Sequence, residues 1–175
     1  MCNFSNKYSI KIDTNDNIID LLNNSTEITS KDIFDKSELY FIKNTVDISK
    51  KENFSDISNY IVITVDKDDR YIKLCGNKSY KAPLDDILSV SELLLLFDYE
   101  IIFSVVRKIY QYNYNNINFY IQVLRDKTFV LTFDEYIHEE KINNVICFFK
   151  DKLNINLNKE LYFNITEQEF FRLKK

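Results

Sequence analysis

The chain has 175 residues, 45% hydrophobic and 29% charged, the size and composition of one globular domain that buries a core without disulfide or metal staples. Its net charge of −4 argues against a duplex nucleic-acid binder driven by overall charge, and its single glycine cannot write a glycine-rich phosphate loop or a dinucleotide fingerprint. Cys2, Cys75 and Cys147 show no paired spacing, residues 1–6 lack a signal-peptide core, and no apolar stretch approaches the ~18 residues of a membrane span. Reduced thiols, a cytoplasmic location and no membrane partner are therefore expected.

Along the chain, 7–13 alternates strictly, with Tyr8, Ile10 and Ile12 on one face and Lys7, Ser9, Lys11 and Asp13 on the other, which predicts a strand. A short helix is expected over 16–23, then a polar irregular segment over 24–35. An element at 38–43 is followed by a long polar connection over 44–56 and a β-branched strand over 60–66. The run Asp66-Lys67-Asp68-Asp69 reads as a hairpin turn into a strand at 70–75, which Gly76 ends. It has too few spaced ligands, and no glycine, for a calcium loop.

Ser89-x-x-Glu92 has the form of a capping box opening the apolar run 93–97 as a helix. Strands over 101–112, 117–124 and 128–133, joined by short polar turns, predict an antiparallel meander. Ile142, Val145, Ile146, Phe149 and Leu153 recur at helical spacing within 138–153, giving an amphipathic helix against the sheet. A last strand at 161–165 precedes Thr166-x-x-Glu169, a second capping-box pattern opening a C-terminal helix through Phe170, Phe171 and Leu173. The fold class is α+β, with about eight short strands and three or four helices.

This order, and several local residues, resemble the CYTH or triphosphate-tunnel superfamily, which takes in class IV adenylate cyclases, thiamine triphosphatases and inorganic triphosphatases. Val105-Val106-Arg107-Lys108-Ile109-Tyr110 resembles the family's basic strand with its Arg-x-x-Tyr, and Phe129-Val130 stands where the family has Phe-Val before an acidic pair. Glu38-Leu39-Tyr40-Phe41 is similar to its acid-x-Tyr-Phe strand, Ile72-Lys73-Leu74-Cys75-Gly76 to a strand closing in Lys-Gly, and Leu161-Tyr162 to its closing tyrosine strand. The resemblance implies one CYTH-like domain over 1–175, with its core at about 7–165, built on an eight-stranded antiparallel sheet closed like a barrel around a tunnel.

The departures bear on chemistry. Where the family's first strand reads Glu-x-Glu-x-Lys, this chain has Lys7-Tyr8-Ser9-Ile10-Lys11, and the family's later Asp and Glu-x-Glu align with Ile121, Leu131 and Phe133. Mg²⁺ requires hard oxygen ligands, so no metal cofactor is expected unless Glu38, Glu135 and Asp13 supply them in a shifted register. Lys11, Lys73 and Arg107 fall on the inward parity of the family's basic positions and are the candidate ligand-binding residues for phosphate.

Three functions compete. The first is binding of a small phosphorylated ligand, a nucleotide or polyphosphate, in a cationic tunnel without metal-dependent catalysis. The second is an active triphosphate hydrolase or nucleotide cyclase using Mg²⁺ or Mn²⁺. The third is a protein-interaction domain whose sheet is packed solid by Val62, Ile121, Leu131 and Phe133. His138, the one histidine, reads as a solvated residue at a helix start, Cys75 as a buried small residue, and the cluster Tyr110, Tyr112, Tyr114, Phe119 and Tyr120 as cross-strand aromatic pairing.

Overall fold

The structure is a computed structural model that describes residues 9–14, 17–67, 69–134, 136–158 and 164–175. Its elements, in chain order, are β1 (Ser9–Ile12), α1 (Ile18–Asn23), β2 (Thr29–Lys43), β3 (Tyr60–Asp66), β4 (Asp69–Cys75), β5 (Tyr80–Pro83), α2 (Ile87–Leu96), β6 (Tyr99–Tyr114), β7 (Ile117–Leu124), β8 (Phe129–Phe133), α3 (Glu139–Leu153) and α4 (Ile165–Leu173). The eight strands form one sheet in the order β1-β8-β7-β6-β2-β3-β4-β5, and every register given within it is antiparallel.

The sheet is open, which corrects the expected closure into a barrel: among the described residues its ends are β1 and β5. Both are four residues long, and β5 is exposed throughout, so each offers only a short edge for further pairing. β5 was not foreseen, and β2 begins at Thr29, inside the segment read as irregular, because a polar strand carries no hydrophobic alternation. The strand expected over 161–165 falls largely on residues outside those described, as do Lys7 and Tyr8; Ile165 is the first residue of α4.

Both capping-box readings misplace the helix start. Asp86 is the N-cap of α2, accepting from the Leu88 and Ser89 amides at 2.9 and 3.2 Å, and the Ser89 hydroxyl donates to it at 2.6 Å. Asn164 caps α4 by accepting from Glu167 N at 3.2 Å. Asp and Asn precede each serine or threonine and are better caps, so the earlier residue takes the role.

The chain divides into two compact units. In the unit containing β1, α1, β7, β8 and α3, alternate residues Ile10, Ile12, Tyr112, Phe119, Ile121, Leu131 and Phe133 form an apolar face. That face packs against Ile18 and Leu22 of α1 and Ile142, Val145, Phe148 and Phe149 of α3.

In the unit holding Asp35–Val106 and Asn164–Lys175, Leu39, Phe41, Ile61, Ile63 and Ile72 pack against Ile87, Val90 and Leu94 of α2. On the opposite side of β2, Tyr40 stacks on Phe103 with ring centroids 4.6 Å apart and meets Phe54 edge-on at 5.5 Å. Phe54 in turn meets Phe170 of α4 at 5.8 Å. The Glu167 carboxylate accepts from the Phe54 and Ser55 amides at 2.7 and 3.0 Å, so α4 fastens the long connection to the sheet. No helix among the described residues is long and apolar enough to cross a membrane.

Phe149 is fully buried between α3 and the β7 face. Phe149→Ala is expected to lower the free energy of urea unfolding by about 3–5 kcal/mol. A loss under about 1 kcal/mol would show that α3 is not packed as described.

Candidate functional site on the polar sheet faces

Residues directly opposite in an antiparallel pair share a face, so the registers place every strand side chain. Beneath the α1/α3 core, the other face of β1, β8, β7 and β6 mixes polar and charged groups with the buried apolar residues Val130, Leu124 and Ile109. One row across it reads Ser9, Thr132, Tyr120 and Gln111, and the next Lys11, Val130, Gln122 and Ile109. Arg107 lies two residues from Ile109 along β6, opposite Leu124, on the same face. Lys11 and Arg107 are thus brought to one face of one unit.

Ser9, Thr132 and Gln122 are buried on this face. Gln122 Nε2 donates to Thr132 Oγ1 at 2.9 Å, while the buried Gln122 Oε1 accepts no hydrogen bond from the described residues. Such a buried acceptor costs about 1–3 kcal/mol while unmet. The Tyr120 hydroxyl donates to Asp134 at 2.8 Å, and burial first, then that hydrogen bond and the carboxylate's charge, push the phenol well above its ordinary range. Lys11 Nζ lies 2.8 Å from Asp13, but both side chains are largely exposed, a setting in which an ion pair contributes about 0–1 kcal/mol.

In the other unit, Lys73 stands in a row with Tyr40, Val62 and Lys81, beside a row holding Glu38, Thr64 and Tyr71. Glu38 is 5% exposed, 3.9 Å from Lys36 Nζ and 3.4 Å from the Tyr40 hydroxyl, which also meets Thr166 Oγ1 at 3.2 Å. Lys36 makes its shorter ion pair, 3.0 Å, with Asp66 of the predicted hairpin turn. Lys81 Nζ sits 3.6 Å over the Tyr71 ring.

The three residues of the alternative metal set stand in different settings. Asp13 is engaged by Lys11 in one unit, Glu38 is buried beside Lys36 in the other, and Glu135 lies outside the described residues. Among the described residues no three histidine, cysteine or acidic side chains converge.

Ile121, Leu131 and Phe133, matched in sequence to the family's carboxylates, all lie in the helix-covered core. Their neighbours Tyr120, Gln122, Val130 and Thr132 lie on the other face, since successive strand side chains point to opposite sides. Of the four residues of the solid-packing reading, these three fill the core of one unit and Val62 is buried in the other. Gln122 and Thr132 were missed, although their polar types alternating with Ile121, Leu131 and Phe133 were a readable signal.

His138 is the exposed N-cap of α3 and makes no side-chain capping bond. Cys75 is buried at the end of β4 and Cys147 is exposed on α3. Tyr112 and Phe119 stack at 5.6 Å as a cross-strand pair, and Tyr114 meets Phe148 at 4.6 Å, so these rings build the core under α3. A cleft of about 360 Å³ on that side is lined by Tyr114, Asn144, Cys147, Asp151 and Lys152.

An open eight-stranded antiparallel sheet, with α1 and α3 covering one face of one unit and α2 one face of the other, is consistent with the CYTH-like fold that the sequence resemblance implied. Among solved structures, the chain is similar to an adenylate cyclase-like protein from Vibrio parahaemolyticus at 8% identity and a TM-score of 0.57, over 94% of this chain and 96% of that one. The inorganic triphosphatase NE1496 matches at 10% identity and a TM-score of 0.55, over 93% and 92%. The PH1819 protein from Pyrococcus horikoshii OT3 matches at 14% and 0.59, over 94% and 96%. Identities this low establish the fold alone. No family model and no curated protein matches the sequence.

Burial raises the Tyr112 phenol from 10.0 to about 12, and its hydroxyl donates to Asn23 Oδ1 at 3.1 Å. Between those two pH values the unfolded chain has released a proton that the folded chain keeps, so stability falls as pH rises. The fall attributable to this group is on the order of 2–3 kcal/mol. Urea midpoints measured across that window are expected to drop less in Tyr112→Phe than in the parent; parallel slopes would refute the assignment.

Proposed function

We propose that this chain binds a small phosphorylated ligand, a nucleotide or polyphosphate, through cations on its polar sheet faces and without metal-dependent catalysis. The observation that carries the reading is that Lys11 on β1 and Arg107 on β6 share one face with the buried polar groups Ser9, Gln122 and Thr132, set among Val130, Ile109 and Leu124. Lys73, on the polar face of the other unit, is a further candidate contact, tested separately. The fold neighbours, an adenylate cyclase-like protein and an inorganic triphosphatase, support phosphate-bearing ligands as the class.

Arg107 is the strongest of the three for this work. A guanidinium offers two parallel hydrogen bonds to a phosphate, and partial burial spares it the screening that weakens a surface charge. Lys11 has to exchange Asp13 for the ligand, a small cost because the existing pair is exposed. The hydroxyls of Ser9 and Thr132 add neutral donors.

The same donor set suits a divalent cation poorly. Mg²⁺ is held by carboxylates aided by substrate phosphates, whereas Ser9, Thr132 and Gln122 are neutral and Asp13 is bound to a lysine. This donor set supports binding over hydrolysis. Three cysteines without paired spacing suit a reducing cytoplasm as the place of action.

Calorimetry with ATP and with tripolyphosphate, in EDTA, is expected to show binding by at least one of them. Arg107→Met should weaken it about tenfold to a hundredfold, the loss of a charge-assisted contact, with an unchanged circular-dichroism spectrum. Lys11→Met and Lys73→Met are expected to have smaller effects of the same sign. Absence of heat with either ligand, or strict dependence on Mg²⁺, would count against the proposal. Phosphate release from triphosphates with Mn²⁺ or Mg²⁺, abolished by Glu38→Gln, would replace it with the catalytic reading.

A further inference from the structure

Helix α2 is apolar nearly all round. Ile87, Val90 and Leu94 face the sheet, while Leu88, Leu93, Leu95 and Leu96 are at least half exposed, Leu96 at 78%. Phe97 at the helix exit and Ile101 on β6 extend this surface. Six large apolar side chains exposed within 88–101 form the kind of cluster that marks an interaction surface. Four leucines in succession are not needed for packing, since Leu94 alone of Leu93–Leu96 enters the core.

The rim of this surface is acidic. Asp85, Asp86, Glu92, Asp98 and Glu100 are all exposed, and no lysine or arginine occurs anywhere in 82–106. Lys43 is the base described beside it, and its Nζ is engaged by the Phe97 carbonyl at 2.7 Å and the Tyr99 ring at 4.6 Å. Two copies of such a rim placed face to face would repel, so α2 is ill suited to pack on another α2. An anionic membrane surface is disfavoured for the same reason.

The chain itself carries a segment of the complementary kind. The last turn of α4 exposes Phe171 and Leu173 next to Arg172, Lys174 and Lys175. Among its acids, Glu169 is paired with Arg172 at 2.7 Å and Glu167 is turned onto the Phe54 and Ser55 amides, leaving a basic, apolar end. We infer that the chain self-associates, the basic apolar end of α4 from one copy seated on the acid-rimmed leucine surface of α2 in a second copy. The two patches lie on opposite sides of β2, so the contact is head to tail.

Sedimentation velocity of the full chain over a wide range of concentration is the test. Reversible association, weaker in high salt, is expected. Leu96→Glu should weaken it at least about tenfold, and the pair Lys174→Glu with Lys175→Glu should do likewise. Adding Asp85→Lys and Asp98→Lys to that lysine pair should restore it, because the charge pattern is then reversed on both sides. All these side chains are exposed, so unchanged circular dichroism is expected throughout. A monomer at every concentration would overturn the inference. So would a dimer indifferent to the Lys174 and Lys175 changes, which would assign the surface to α2 pairing with itself, or a monomer that floats with phosphatidylcholine vesicles, which would assign it to lipid.

Discussion

Cross-strand register in β6, β7 and β8 decides what each face of this sheet can do. Tyr110 stands opposite Ile121 and Ile121 opposite Leu131, so these side chains line up under α3, and by the same pairing Ile109, Gln122 and Val130 line up on the other side. Slipping one strand by a single residue would carry Gln122 and Thr132 into the hydrocarbon core and expose Ile121 and Leu131. The core under α3 is therefore not a separate feature from the polar face. Burial of Phe119, Ile121, Leu131 and Phe133 fixes the register, and the register presents Lys11, Gln122, Thr132 and Arg107 together. In the other unit the same logic sets Ile61 and Ile63 against α2 and leaves Val62 and Thr64 beside Lys73 and Glu38.

Polar groups buried on a sheet face are expensive unless each finds a partner. Tyr40 and Thr166, Tyr120 and Asp134, and Gln122 Nε2 with Thr132 all satisfy this requirement within the protein. Gln122 Oε1 finds no partner among the described residues. A fold selected for stability alone would more cheaply carry leucine at that position, as it carries isoleucine one residue earlier. Retention of an amide there, beside serine, threonine and two cations, is what a surface kept polar for a ligand would show.

Much of this was legible in the sequence, and the failures have a common cause. Strict alternation in 7–13 and the isoleucine-rich spacing of 138–153 announce β1 and α3, because in both the hydrophobic period matches the element and one face is covered. β5 and the first half of β2 were invisible since their residues, exposed in the main, carry no such period. Lys11, Arg107, Ile121, Leu131 and Phe133 were all placed by matching family motifs; the structure puts Lys11 and Arg107 on one face of their unit and the three apolar residues in the core on the other. Closure into a barrel was borrowed from the resemblance as well; nothing in the strand patterns themselves encodes it.

Net charge misled in a similar way. Five of the 27 acidic residues and none of the 23 basic ones fall in 82–106, so the remaining 150 residues carry a charge of +1. An overall −4 therefore describes one helix and its flanks rather than the sheet. The acidity that argues against a polyanion binder is thus concentrated on α2 and its flanks. On the face holding Lys11 and Arg107, Asp13 is paired with Lys11 and Asp134 accepts from Tyr120, so a charge summed over the whole chain says little about how any one face meets an anion.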